Sequence, residues 1–282
     1  MKRFLFMSII ALLVVACDDE KIESMPPYIF FADEVDTYVM DLDDEDPTDV
    51  VIKGSISAQE LVRSFSVNGE SVDPELYGEE RNWMFEFPIS IKGKREAFDV
   101  PFILTDRTDR VNAKDFHFVT SSPIETYEIS LGAQYNPYLG FFFSFTDHNV
   151  YSVTEMREMA NPKGFCFGYN INKKLSMLVS PTELINQTIL SDFKGDDLCS
   201  FCEIVAVNEH DFTKEKFDAM TNNALMRNLS PVGYGTFPFI SIASGKSYLV
   251  KNDDDTMRAI VYVQSLENGV NGEANLIVKM EK

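Results

Sequence analysis

Positive charge is scarce in this sequence. Of 282 residues, 25 are Lys or Arg and 45 are Asp or Glu, a formal net charge of −20. Proteins that bind DNA or RNA hold phosphate with clustered basic side chains. No such cluster occurs here, which excludes nucleic acid as a partner. Histidine is confined to positions 117, 148 and 210, tryptophan to Trp83, and cysteine to positions 17, 166, 199 and 202. The sequence has no His-Glu-x-x-His helix, no Gly-x-Ser-x-Gly elbow and no Gly-x-Gly-x-x-Gly turn, so the best-marked zinc-protease, hydrolase and dinucleotide signatures are missing. Gly245-Lys246-Ser247 ends as a P-loop does, but Ile240 stands where that motif needs its first glycine. Beyond residue 16 no apolar run approaches the roughly 20 residues of a transmembrane helix. Neither a repeat of 20–50 residues nor a low-complexity tract is present.

What is there is the composition of a globular protein: 45% apolar, 12% aromatic and 25% charged residues, far from the signature of disorder. The length suits about two domains. At the start, Lys2 and Arg3 precede an apolar stretch from Phe4 to Val15 broken only by Ser8. That is the plan of a secretory signal, and it is too short to span a bilayer. The run Val14-Val15-Ala16-Cys17 resembles a bacterial lipobox. The resemblance implies that residues 1–16 are a signal peptide removed by cleavage and that Cys17 carries diacylglycerol, with palmitate-like chains. The plainer reading is a signal peptide beside an incidental cysteine. Two or three acyl chains anchor stably, because each buried methylene contributes about 0.8 kcal/mol. Removing residues 1–16 leaves 282 − 16 = 266 residues with 23 basic and 45 acidic groups, a net of −22. Asp18-Asp19-Glu20 then resembles the export signal that carries Bacteroidetes lipoproteins to the outer face of the outer membrane; a periplasm-facing anchor is the alternative. Residues 17–26 are read as a lipidated acidic tether.

From Pro27 the dominant signal is period-two alternation, the mark of half-buried strands. Trp83, Phe85, Phe87, Ile89 and Ile91 share one face; Phe98, Val100, Phe102 and Leu104 share another. The two runs read as neighbouring antiparallel strands, with Pro88 and Pro101 at edges or bulges. Further strands are expected at Tyr28–Phe31, Thr37–Met40, Val50–Ile56, Phe116–Val119 and Thr126–Leu131. The fold class expected is mainly β, with an immunoglobulin-like β-sandwich over residues 27–134. Gln134-Tyr135-Asn136-Pro137 marks the junction with a second β-rich α+β domain over residues 135–282. Short helices are expected there at Thr154–Ala160, from Ser180-Pro181-Thr182-Glu183 to about Leu190, and at Thr213–Arg227. Strands at Ser247–Lys251, Met257–Leu266 and Ala274–Met280 form a closing meander.

The groups that could carry chemistry are few. His117 sits between Phe116 and Phe118 in a strand and should point away from that core pair; His148 and His210 have no motif around them. Cys199-Ser200-Phe201-Cys202 has C-x-x-C spacing, and with Cys166 it allows buried thiols, a disulfide, a metal site or a redox pair. Asp41–Asp46 and Asp253–Asp255 are oxygen-rich loops, solvated or calcium-holding. Asp106–Arg110 reads as a charged hairpin tip. Tyr135, Tyr138, Phe141, Phe142, Phe143 and Phe145 are either a sugar-stacking platform or core. No catalytic residue, cofactor or metal is assigned, the ligand-binding residues are left open, and Cys17 is the one named attachment site.

The lipobox, the acidic tether and two modules without a catalytic signature together resemble the accessory surface lipoproteins, an uncharacterised family, that Bacteroidetes encode beside outer-membrane uptake systems. That resemblance implies a non-catalytic binding or accessory module for uptake of a glycan-type nutrient, held to the membrane by lipid and partnered with an outer-membrane transporter or a glycan. Over the last forty residues, Gly245–Lys251 and Ile260–Ser265 are similar to the C-terminal strands of HmuY-type haemophores, which ligate haem iron with paired His or Met. The competing readings are a haem-binding lipoprotein, a glycoside hydrolase-like enzyme using two carboxylates about 5–9.5 Å apart, and a fimbrial or structural subunit with an open edge strand.

Overall fold

The computed structural model describes residues 25–78, 80–159, 162–190, 202–207, 212–229, 237–252 and 255–282. The protein is mainly β. Its strands are β1 (Tyr28–Phe31), β2 (Thr37–Met40), β3 (Val50–Ser57), β4 (Val62–Val67), β5 (Glu70–Ser71), β6 (Asn82–Ile89), β7 (Phe98–Asp106), β8 (Val111–Thr120), β9 (Ile124–Gly132), β10 (Phe142–Ser144), β11 (Val150–Tyr151), β12 (Gly164–Asn170), β13 (Leu175–Val179), β14 (Cys202–Ala206), β15 (Phe239–Ser241), β16 (Ser247–Asn252), β17 (Arg258–Glu267) and β18 (Glu273–Glu281). Four short helices accompany them: α1 (Pro74–Tyr77), α2 (Val153–Glu158), α3 (Lys214–Ala219) and α4 (Ala224–Asn228). The chain forms two compact units. The first holds the residues up to Asp36, Thr48–Ile91 and Phe98–His117; the second holds Thr37–Pro47, Lys92–Ala97 and Phe118–Lys282.

In the first unit a three-stranded sheet, β1-β3-β6, faces a second sheet running β8-β7-β4-β5. The alternation seen in the sequence is the cause. Phe85 and Ile91 of one run and Val100, Phe102 and Leu104 of the other are all at most 4% exposed, whereas Met84, between Trp83 and Phe85, is 82% exposed. The two runs are not neighbours in one sheet, as their proximity in sequence suggested. β6 pairs with β3 and β7 with β4, and the runs meet across the sandwich, with the Phe85 and Phe102 rings stacked at 5.5 Å. Each carries a full apolar face, and setting those faces against one another removes more of that surface from water than side-by-side pairing would. Pro88 lies on the edge strand β6; Pro101 lies one residue beyond the last β4–β7 pair, where its carbonyl accepts from Asn68 N at 2.8 Å. Asn68 and Gly69 both have positive φ and close the two-residue β4–β5 turn. Gly54 of β3 must be glycine: a Cβ there would stand 2.3 Å from Phe30 O and 2.5 Å from the Phe85 ring.

The second unit has two five-stranded sheets, β14-β16-β17-β18-β9 and β11-β10-β12-β13-β15. β9, read from alternation at Thr126–Leu131, pairs along its whole length with β18. The sheets enclose a core that includes Phe143, Phe145, Phe165, Phe167, Val250, Val261, Leu276 and Val278. They also touch at one edge, where Ile204 N donates to Phe237 O at 2.7 Å. Each sheet has a second apolar face. Phe142, Cys166, Met177 and Val179 pack with Met156 of α2 and with Leu184 and Ile189; Leu249 and Ile260 pack with Phe217 and Met226 of α3 and α4. A sheet covered on both faces needs apolar residues at consecutive positions, so its strands read as runs.

The helices answer to their caps. Ser152 accepts from Glu155 N while the Glu155 carboxylate accepts from Ser152 N, a complete capping box that starts α2. The helix expected from Pro181 to about Leu190 is instead one 3-10 turn, Pro181–Glu183. Ser180 does not cap it; its hydroxyl accepts from Cys202 N at 3.1 Å and faces the Thr182 hydroxyl, and Thr188 has a positive φ. The helix expected over Thr213–Arg227 is two, α3 and α4, because Asn222 and Asn223 are engaged elsewhere. Asn222 Nδ2 donates to Asp41 and Asp43 at 2.7 and 2.9 Å. Asn223 Oδ1 accepts from Ser122 N at 2.7 Å, and its own N donates to Ser122 O.

Candidate functional site

A cleft of about 570 Å³ opens in the second unit. Three stretches of chain build it. One is the turn into β16, where Gly245 takes a φ of +80°; its N donates to Val263 O at 2.7 Å, and Val263 N donates to Lys246 O at 2.9 Å, fixing the turn against β17. Ala243 N donates to the Tyr248 hydroxyl at 3.0 Å, which ties the approach from β15 to β16. The second stretch is the start of α3, where Thr213 accepts from Lys216 N and so caps the helix that carries Lys214. The third is Tyr262 of β17, whose ring lies 4.9 Å beneath the Lys214 ammonium. Lys214 also pairs with Asp218 one turn along α3.

The described lining therefore offers two ammonium groups, Lys214 and Lys246, hydroxyls from Thr213, Ser241 and Ser247, and the rings of Phe212, Tyr248 and Tyr262. It contains no Asp, Glu or His among its described residues. Lys214 is already paired with Asp218, so the lining offers acceptor-rich ligands ammonium and hydroxyl donors more than a net positive field. The Gly245-Lys246-Ser247 stretch that fails as a P-loop contributes three of these lining residues.

The other sequence candidates lie elsewhere. Cys17, Cys199 and His210 fall outside the described residues, as do Asp253 and Asp254. Cys166 and Cys202 are buried and not joined in a disulfide, at 0% and 2% exposed. Burial, with the neighbouring Cys202 adding to it, pushes the Cys166 pKa well up and keeps it a thiol. His117 is paired at the surface with Asp99 at 2.7 Å, and that carboxylate raises its pKa. His148 Nδ1 lies 2.6 Å from the Tyr127 hydroxyl, which also bonds Glu125; Lys282 reaches the same carboxylate at 3.1 Å. Desolvation first, and then Glu125, push the Tyr127 pKa up to about 12, which makes it a poor nucleophile at neutral pH.

The acidic loop spends its oxygens within the fold. Asp41 accepts from Asp43 N and from Asn222, and Asp43 accepts from Thr221 and Asn222. Thr221 and then Asn222 lower the Asp43 pKa. Asp106, fully buried, accepts from Thr108 N, Thr108 Oγ1, Arg110 N and Arg110 Nε at 2.8–3.0 Å and closes its hairpin. Among the described residues no group of three or more His, Cys, Asp or Glu is placed to hold a metal ion. Phe141, Phe142, Phe143 and Phe145 are core, at most 2% exposed, and only Tyr135 and Tyr138 of that aromatic stretch face solvent, at 57% and 92%. The edge of β1 is covered at one point, where Ile29 N donates to Asn112 Oδ1 at 3.2 Å.

No family model matches the chain, and no curated protein matches it. Among solved structures it is similar to a DUF4466 family protein from Parabacteroides merdae ATCC 43184, at 9% sequence identity and a TM-score of 0.42, over 91% of this chain and 98% of that one.

Proposed function

We propose that this protein is a lipid-anchored binding module of the outer-membrane surface that takes a glycan-type nutrient without covalent chemistry and passes it to an outer-membrane transporter. The anchor is Cys17, on the lipobox pattern around it. The observation that carries the binding half is the cleft of the second unit, whose lining combines hydroxyls, two lysines and tyrosine rings. A sugar offers hydroxyls to Thr213, Ser241 and Ser247 and an apolar ring face to Tyr262, and a sugar acid adds a carboxylate for Lys214 and Lys246. Hydrolysis of a glycosidic bond requires a pair of carboxyl groups flanking it, and the described lining supplies none.

Titration calorimetry of the mature protein against neutral and carboxylate-bearing oligosaccharides tests this reading. Lys246→Ala should weaken the acidic ligand by about 2 kcal/mol, roughly 30-fold, the worth of one hydrogen bond to a charged group, and leave a neutral sugar unaffected. An absence of binding by any oligosaccharide, or equal affinity for the variant, refutes the assignment.

A further inference from the structure

The outward face of the β1-β3-β6 sheet in the first unit is more apolar than a water-facing sheet surface needs to be. Phe30, Ser55 and Met84 stand opposite one another in a single row across the three strands. Tyr28 precedes Phe30 on the same side, with their rings stacked at 5.9 Å. Tyr28, Phe30 and Met84 are 42%, 51% and 82% exposed. Solvated sheet faces ordinarily alternate to polar residues, and a contiguous exposed apolar patch marks a surface that something covers.

Two observations identify the cover. The first is where the chain enters. Met25 N donates to Gln59 Oε1 at 2.7 Å, which fixes the entry beside this sheet, and β1 begins three residues later. Cys17 lies 25 − 17 = 8 residues before Met25, a span of at most about 29 Å when fully extended. A lipid on Cys17 therefore keeps Met25, where the chain enters beside this sheet, within about 29 Å of the bilayer. The second observation is charge. The one carboxylate in the central rows of the face, Glu86, is paired with Lys53 at 2.9 Å, and the Lys114 ammonium stands 5.9 Å over the Phe30 ring. In a chain of net charge −20, this patch carries no excess of acid. Aromatic rings and a methionine beside a lysine suit the boundary between headgroup phosphate and acyl chain.

We infer that Tyr28, Phe30 and Met84 dock this sheet face onto the lipid surface to which the chain's own N-terminus is anchored. The inference rests on acylation of Cys17, so the experiment reads acylation and docking separately. The full-length protein carrying Met84→Cys and Cys199→Ser is produced through the cell envelope, labelled with bimane and reconstituted in phosphatidylethanolamine–phosphatidylglycerol vesicles containing headgroup-nitroxide lipid. The buried Cys166 and Cys202 are protected from the label. Glu70→Cys on β5 replaces Met84→Cys in the reference sample.

Docking at the interface predicts about threefold stronger quenching at position 84 than at position 70, lowered to the reference level by Phe30→Ser. Equal quenching at both positions in a protein whose N-terminal peptide is acylated by mass overturns docking while the anchor stands. An unacylated peptide overturns the anchor and the inference together. Bimane self-quenching at position 84 in lipid-free micelles assigns the face to a second copy and likewise overturns it.

Discussion

Lys279 sits on β18 with its ammonium buried against the end of α3, where it donates to Phe217 O at 2.7 Å, Met220 O at 2.8 Å and Asp218 O at 3.1 Å. These carbonyls belong to the last turn of α3 and its C-cap, where a helix leaves most acceptors open; Phe217 O also accepts from Met220 N at 3.3 Å. The ammonium also lies 5.1 Å from the Phe217 ring. Burial lowers its pKa below the ordinary lysine value, and the Asp218 carboxylate opposes that shift. Lys279→Met keeps the stem and its packing but removes all three bonds. Each is worth about 1.5–3 kcal/mol as a hydrogen bond to a charged group. The sum is offset by the several kcal/mol that desolvating the ammonium costs, so the net loss should be about 3 kcal/mol. For a unit of this size that lowers the melting temperature by about 6–12 °C. Calorimetry measures it, and sugar titration should show a weaker cleft, since α3 carries Lys214 and follows its cap, Thr213. A variant melting within about 1 °C of the parent would refute the reasoning that this one side chain holds α3 in place.

Asp106→Asn keeps one acceptor oxygen but loses the charge, and should destabilise the first unit by about 2 kcal/mol in urea unfolding at neutral pH. Burial alone would raise the Asp106 pKa, but bonds from Thr108 and Arg110 prevail and lower it. The stabilisation is therefore complete above 3.8, the unfolded value, and the gap between parent and variant should close as pH falls through the lower folded value; a constant gap would contradict this. Tyr127 gives the opposite sign. Its stabilisation is complete below 10.0 and lost as pH rises through about 12, so Tyr127→Phe should delete one late step from the phenolate absorbance titration. An unchanged titration curve would show that Glu125 and burial do not hold that proton.

Legible in the sequence were strands with one face in water and, although their sheet is covered on both faces, the closing strands β16, β17 and β18. Residues 83–91 and 98–104 announced their strands because each packs on one side only, yet they could not announce their partners, since the same alternation serves pairing within a sheet and packing across a sandwich. β12 and β13 were not legible. Phe165, Cys166 and Phe167 are buried on alternate faces of a doubly covered sheet, and a run of that kind has no period to read. Ser180-Pro181-Thr182-Glu183 has the letters of a helix start, but its serine hydroxyl serves Cys202, a partner 22 positions away. The cleft fared similarly. Lys214, Lys246 and Tyr262 come from separate elements, and only the β16–β17 pairing and the α3 cap bring them together. Gly245-Lys246-Ser247 stood out in the sequence only as a P-loop match that fails at Ile240, and it lines the cleft.

The most direct test of the account is the mass of the N-terminal peptide of the protein recovered from the cell envelope. A lipid-anchored module predicts that the chain begins at Cys17 and carries two or three acyl chains there, and that Cys17→Ala leaves the rest of the protein in the soluble fraction. A chain that still begins at Met1, or one that begins near residue 17 with an unmodified thiol, would contradict it.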